Sequence, residues 1–197
     1  GEFKLITGNK FIMAQAILAE GDHVWLSDLD IGFNRDPWPV MKEWRRGLNC
    51  DYQFQPNRAD YTGTDLTNEG NTGFHLVRNS AAGRRIVVEG IGEIVRHKDL
   101  DDQTNFWNRL RRDEKALRVA RAADIGYWTE QNLDVTTRGT TAEMQICPLP
   151  HALFRSGFPP FGSKPETDKW VVFHANYVVG SDNKRKYLMQ QGLWAVP

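Results

Sequence analysis

The sequence predicts an α/β fold, and three features predict it. A helix-forming stretch, a tight turn and a short apolar run ending in an acid follow one another over residues 11–28. A second apolar run, Trp170 to Phe173, ends just as abruptly at His174. Between the two lie stretches that open on good helix caps. At 197 residues the chain has the length of one ordinary domain with a substantial core. No repeat or low-complexity tract divides it, so residues 1–197 are read as a single domain.

Taken in order, Phe11 to Glu20 has helix-forming composition and apolar spacing, and Gly21 follows as a natural stop. His23 to Ser27 reads as a buried strand. Asp36-Pro37 opens a second helix, with Asp36 as cap, Pro37 in the first turn and Gly47 as stop. Cys50 to Gln55 reads as strand, Pro56 to Asn71 as a long polar loop, and Phe74 to Val77 as a short strand. Ser80 can cap a helix running to about Arg96, and Asp99 to Asp101 can cap another running to Arg111. From Leu117 to Pro150 the pattern is ambiguous, with a strand-like piece at Met144 to Cys147. Trp170 to Phe173 is a buried strand, and Asn183 to Gln191 a helix stopped by Gly192.

Composition narrows the class of partner. The net charge is zero, so no global field recruits polyanions, and nucleic acid is not expected as a partner. No apolar run approaches 18 residues, so no membrane span is expected in this stretch, and no signal peptide is visible at Gly1. Cys50 and Cys147 lack the spacing of a cysteine zinc site. They leave open one disulfide or two separate buried thiols, and with that the redox compartment.

The chemistry concentrates at the strand ends. Asp28 and Asp30 stand at the carboxyl end of an apolar run, where open α/β sheets place their ligands. On a straight strand their side chains share a face about 6–7 Å apart, from a rise of about 3.3 Å per residue. A turn beginning at Asp30, eased by Gly32, would bring both toward one cation. Hard oxygen ligands suit Mg²⁺ or Mn²⁺, which also take phosphate oxygens. Such a pair also occurs as turn or capping residues. The apolar strand before it favours the metal, because buried charges need compensation. His174 ends its own strand in the same way, and a neutral imidazole is a good Mn²⁺ ligand, although a lone His after a strand is more often structural. Beyond it, Gly180 and Lys184 lie in a polar turn that opens a helix, where amides and the lysine could face a diphosphate. For Arg185 and Lys186 a solvated helix face is the better reading. Asn71-Thr72-Gly73 could read sugar hydroxyls at close backbone approach, though spacing alone favours an ordinary turn. Asp102-Gln103 opens a helix, where a carboxylate commonly serves the dipole, as Asp101 is expected to. One of the pair could instead reach the reacting carbon of a sugar. Tyr61 and Trp107 could stack on sugar, but aromatics in such numbers are more often core.

Four strings carry a resemblance: VWLSDLDIGFNRDPWP, EGNTGFHLVRNS, DDQTNFWN and FHANYVVGSDNKRKYLMQQGLW. In this order, and covering Lys10 to Trp194, they are similar to the nucleotide-diphospho-sugar transferases. Within these they resemble glycosyltransferase family 77, the plant rhamnogalacturonan xylosyltransferases and extensin arabinosyltransferases. The resemblance implies a GT-A-like (Rossmann-like) mixed sheet flanked by helices, a divalent cation, usually Mn²⁺, a UDP-sugar donor, a glycan or glycoprotein acceptor and retention of configuration. For a eukaryotic source it implies the Golgi lumen. Such folds hold the nucleotide base on an N-terminal βαβ segment. This chain is expected to lack part of it, since its first helix comes so early.

The resemblance also assigns roles. Asp28 and Asp30 match the DxD that binds ribose and metal, and His174 the C-terminal histidine, with Gly180 and Lys184 on the diphosphate. Asn71, Thr72 and Gly73 match the segment facing the donor sugar, and Asp102 and Gln103 the pair near the reaction centre. Lys10 matches a helix lysine that pairs with a site carboxylate. Two other classes compete. A non-catalytic carbohydrate- or nucleotide-binding module would use the same pocket without turnover. A phosphatase of the haloacid-dehalogenase type also places DxD after an apolar strand. It wants Thr or Val just beyond the second Asp and a lysine well upstream of a later acidic pair. Here Gly32 follows Ile31, and Lys98 stands beside Asp101 and Asp102.

Overall fold

The computed structural model describes residues 2–42, 50–57, 70–112, 117–119, 144–157 and 170–193. Two sheets and four helices with both ends described are present there, and residues 38–42 are helical as well, after the Asp36 cap. The four helices are α1 (Glu2–Ala19), α2 (Ala81–Arg96), α3 (Asp102–Arg112) and α4 (Ser181–Gln190). The strands are β1 (Val24–Ser27), β2 (Ile31–Phe33), β3 (Tyr52–Pro56), β4 (Gly70–Val77), β5 (Leu117–Val119), β6 (Met144–Pro148), β7 (Phe154–Ser156) and β8 (Val172–His174). A five-stranded sheet runs in the order β1-β4-β3-β6-β5, and a three-stranded one in the order β2-β8-β7. Both are mixed. β4 pairs antiparallel with β1 and β3, while β3, β6 and β5 run parallel; β8 is antiparallel to β2 and parallel to β7. The α/β fold with mixed sheets flanked by helices is the one the sequence predicts.

Alternation along the central strands sorts the core into two layers. Tyr52, Phe54 and Val77 face α1, α2 and α3, packing on Phe11, Leu18, Ile86, Val87, Phe106 and Trp107. Phe74 and Leu76 point the other way, onto Ile31, Phe154 and Val172 of the smaller sheet and onto Val171 just before β8. Trp170, Phe173 and Ala175 bury against Leu188 and so dock α4. Trp107 is therefore core, with no exposed surface. Tyr61 and the polar stretch 58–69 lie outside the described residues, as does Gly47.

Several boundaries differ from the sequence reading, each for a tertiary reason. α1 begins well before Phe11. It carries Gly8 in its body because a Cβ there would meet Ile94 Cγ2 of α2 at 2.9 Å, so the glycine lets two helices approach. β1 is not buried throughout: it pairs only with β4 among the described residues, and Trp25 and Ser27 are exposed. Gly32 does not make the turn after Asp28, which falls at Leu29 and Asp30. It sits in β2, where Leu193 packs onto its bare Cα. β8 begins two residues later than the expected run and ends one later, taking in His174. β4 begins at Gly70, so Asn71, Thr72 and Gly73 are strand and not turn. The caps stand where expected. Ser80 Oγ accepts from Gly83 N at 3.0 Å, Asp101 Oδ1 from Thr104 N at 2.7 Å and Asp36 Oδ1 from Trp38 N at 2.9 Å. Gly21 and Gly192 close α1 and α4 with positive φ. Cys50 and Cys147 are joined in a buried disulfide with a Cα–Cα distance of 5.9 Å. Among the described residues no helix is long and apolar enough to cross a membrane.

Candidate active site

The chain changes sheets between Asp28 and Asp30, and the site is built around that crossing. Asp28 N continues the β1 ladder by donating to Gly73 O at 2.6 Å. Two residues later, Asp30 O accepts from Ala175 N at 3.0 Å, and Ile31 pairs with His174 in the smaller sheet. The turn thus delivers one carboxylate from each sheet to the same place. His174 Nε2 lies 3.2 Å from Asp30 Oδ1, and one ligand atom from each of Asp28, Asp30 and His174 lies within 4.8 Å of the others.

A break in β4 aims the next group of side chains. The β3–β4 register slips between Phe54, opposite His75, and Gln55, opposite Asn71, so Thr72, Gly73 and Phe74 have no partner on β3. Bulges of this kind redirect side chains. Thr72 turns toward the helices, where its Oγ1 donates to Asp102 Oδ2 at 3.2 Å and accepts from Lys10 Nζ at 3.4 Å. Its amide donates to Gln103 Oε1 at 3.3 Å. Gly73 N donates to Asn71 Oδ1 at 2.6 Å. A Cβ on Gly73 would come 2.7 Å from both Asn71 Oδ1 and Asp28 Oδ2 and would also run into His174 Cε1. Two of the three candidate ligands, Asp28 and His174, therefore border a space that only glycine leaves clear.

Charge in the site is balanced locally. Lys10 on α1 bridges Asp28 at 3.4 Å and Asp102 at 2.8 Å. Burial opposes ionisation of Asp102, but the Lys10 charge and hydrogen bonds from Lys10, Thr7 and Thr72 outweigh it and hold the carboxyl below its usual value. Asp30 follows the same logic. Burial is overcome by hydrogen bonds and charge from His174 and Lys184, whose Nζ lies 2.6 Å from Asp30 Oδ2, leaving the carboxyl well below the usual range.

These groups line one cavity of about 810 Å³, a size that holds a small-molecule ligand. Every site residue expected from the sequence lines it except Gly180, which stands next to Ser181 on the wall and caps α4 with φ of 89°. Lys184, expected on a diphosphate, lies against Asp30. The sequence reading missed Asn57 and Asn176. Asn57 Oδ1 accepts from Asn71 Nδ2 at 3.0 Å and from Asn176 Nδ2 at 3.4 Å, so these amides form part of the wall. It also missed Gln55, fully buried behind His174. The signal for Gln55 was there in YQFQP: an amide on a central strand calls for a buried polar partner.

Two carboxylate oxygens and an imidazole nitrogen within 4.8 Å of one another suit a hard divalent cation. A family model for nucleotide-diphospho-sugar transferases matches residues 1–188. No curated protein and no solved structure matches the chain. The family match sets aside the phosphatase and the non-catalytic module. The chain belongs to the nucleotide-diphospho-sugar transferases, and it is a glycosyltransferase that takes its sugar from a nucleotide donor.

Proposed function

We propose that this chain, as one catalytic domain over residues 1–197, moves a sugar from a UDP-sugar to a hydroxyl of a glycan or glycoprotein, with retention and with a divalent cation, Mn²⁺ or Mg²⁺. The observation that carries the metal dependence is the convergence of Asp28, Asp30 and His174 on one wall of the cavity. These three residues would hold the cation, which supplies Lewis-acid neutralisation of the charge that develops on the leaving diphosphate. UDP, retention, the family 77 affinity and the glycan acceptor rest on the motif order of the sequence.

The remaining residues divide between the two ends of the donor. Lys184 and the amides opening α4 offer positive charge to a diphosphate beside Asp30. Lys184 would exchange its contact with Asp30 for phosphate oxygens when the donor enters. Thr72, Asn71 and the Gly73 backbone face the sugar. Asp102 is ionised, and its Oδ2 is already engaged by Lys10 and Thr72. It is suited to stabilise an oxocarbenium-like carbon more than to attack it, with Gln103 beside it. The Cys50–Cys147 disulfide supports an oxidising compartment such as the Golgi lumen.

The test is Asp30→Asn, which keeps the shape and removes the charge. Mn²⁺-dependent hydrolysis or transfer of UDP-sugars should fall by ~10²-fold or more with folding intact, in line with disruption of a metal site. NMR of the product anomer should show retention. Turnover equal to wild type in Asp30→Asn, or undiminished in EDTA, would end the proposal.

A further inference from the structure

We infer that Gln55 is a positioning residue that holds a proton on His174 Nδ1 and fixes the plane of the ring, so that Nε2 is the nitrogen aimed at the carboxylate cluster. The inference concerns the ring itself, and its consequence for metal binding rests on the proposed role of Asp28, Asp30 and His174.

The argument begins with which way the Gln55 amide points. Gln55 has no exposed surface, so both ends of its amide must find protein partners. Its Nε2 lies 2.7 Å from Arg155 O on β7. A main-chain carbonyl only accepts, so the atom facing it must be the NH₂ group; the reversed amide would set two acceptors against each other. The other end, Oε1, is then an acceptor, and it lies 3.1 Å from His174 Nδ1. An acceptor facing Nδ1 requires Nδ1 to carry the proton. Nε2 is then the nitrogen turned toward Asp30 Oδ1, 3.2 Å away; it can donate to that carboxylate while it holds a proton and would be the atom to face a cation once it gives the proton up. The carbonyl of Arg155 thus sets the amide, and the amide sets the ring. The bulge in β4 makes this reach possible, because the register slips at Gln55 itself.

Gln55 also ties the two sheets together through Arg155, so a structural role must be separated from an orienting one. Two variants do this. Gln55→Glu keeps an acceptor toward Nδ1 but loses the donor toward Arg155, whereas Gln55→Leu loses both. The first readout is whether His174 Nδ1 carries a proton, by ¹⁵N NMR of histidine-labelled protein. Wild type and Gln55→Glu should show the Nδ1–H form. Finding Nδ1 without a proton in wild type overturns the inference, whether or not any metal binds. The second readout is the Mn²⁺ dissociation constant by calorimetry. Loss of such an outer partner weakens metal binding by ~10–100-fold, which is the loss expected for Gln55→Leu, while Gln55→Glu should stay within ~3-fold of wild type. Equal weakening in both variants would make Gln55 a sheet tie only and would overturn the inference. If wild type binds no Mn²⁺, the metal reading fails, and the NMR result still decides whether Gln55 holds the Nδ1 proton. If Gln55→Leu does not fold, the wild-type and Gln55→Glu spectra decide alone.

Discussion

Replacing Gly73 with alanine is the sharpest single perturbation of the site. Gly73 is not among the glycines with positive φ, so the backbone itself accepts an alanine there. What it does not accept is the added methyl. That carbon would lie 2.7 Å from Asp28 Oδ2 and from Asn71 Oδ1, and it would run into His174 Cε1. Ordinary carbon–oxygen contact is near 3.2 Å or more, so each oxygen must retreat by about half an ångström and the imidazole further. Metal–ligand distances are held to about ±0.2 Å, so two of the three ligands would leave their usable positions together. A loss of at least the size seen when a supporting residue is removed follows, ~10–100-fold in Mn²⁺ affinity or ~1.4–2.7 kcal/mol. The assay is calorimetric titration of Mn²⁺ into wild type and Gly73→Ala, with circular dichroism confirming that both are folded. A folded variant that binds Mn²⁺ as wild type does would show that the cation does not sit among Asp28, Asp30 and His174.

Two further predictions concern stability. The Cys50–Cys147 bond spans 97 residues, and closing a loop of that size in the unfolded chain is worth ~4–5 kcal/mol in the loop-entropy account. Denaturant titration with and without reductant should recover most of this, and a difference under ~1 kcal/mol would refute it. Buried His75 stacks on Phe11, with ring centroids 5.7 Å apart, and burial, aided by the Lys10 charge, takes its pKa down to about 3. The unfolded chain therefore holds the extra proton between about pH 6.5 and 3, so the folded state loses stability as pH falls through that window. The loss should be ~2 kcal/mol between pH 7 and pH 5 and should be absent in His75→Phe. Equal losses in the two proteins by denaturant titration at both pH values would show that His75 is not the cause.

How much of this was legible in the sequence depends on the distance over which each feature is decided. The strand ends could be read because an apolar run stopping at Asp28 or His174 is a local signal. The helices capped by Ser80 and Asp101 could be read because the cap bonds close within three residues. Fold class and most of the cavity wall followed from those ends. The break in β4 could not be read. Asn71, Thr72 and Gly73 look like a turn in isolation, and only the pairing of Asn71 with Gln55 on β3 and the Asp28 N–H bond to Gly73 O beyond β1 make them strand. Nor could the disulfide be decided, because it depends on parallel pairing of β3 with β6 across a long separation.

The buried side chains behind the site mark the same limit more sharply. Gln55 and His174 are 119 positions apart, and nothing local to YQFQP says that its second amide meets an imidazole. Yet burial leaves that amide only a hydrogen-bonded solution, since an unpaired donor or acceptor at full burial costs ~1–3 kcal/mol. Gln53, on the same face of β3 and as deeply buried, has no hydrogen-bond partner for either amide atom among the described residues. The strand thus carries two buried amides, of which only the one against His174 is satisfied at both ends. Core packing alone would favour apolar residues at both positions. A fully paired glutamine placed where its oxygen meets the candidate ligand is what a requirement of the site, acting on the core, would leave behind.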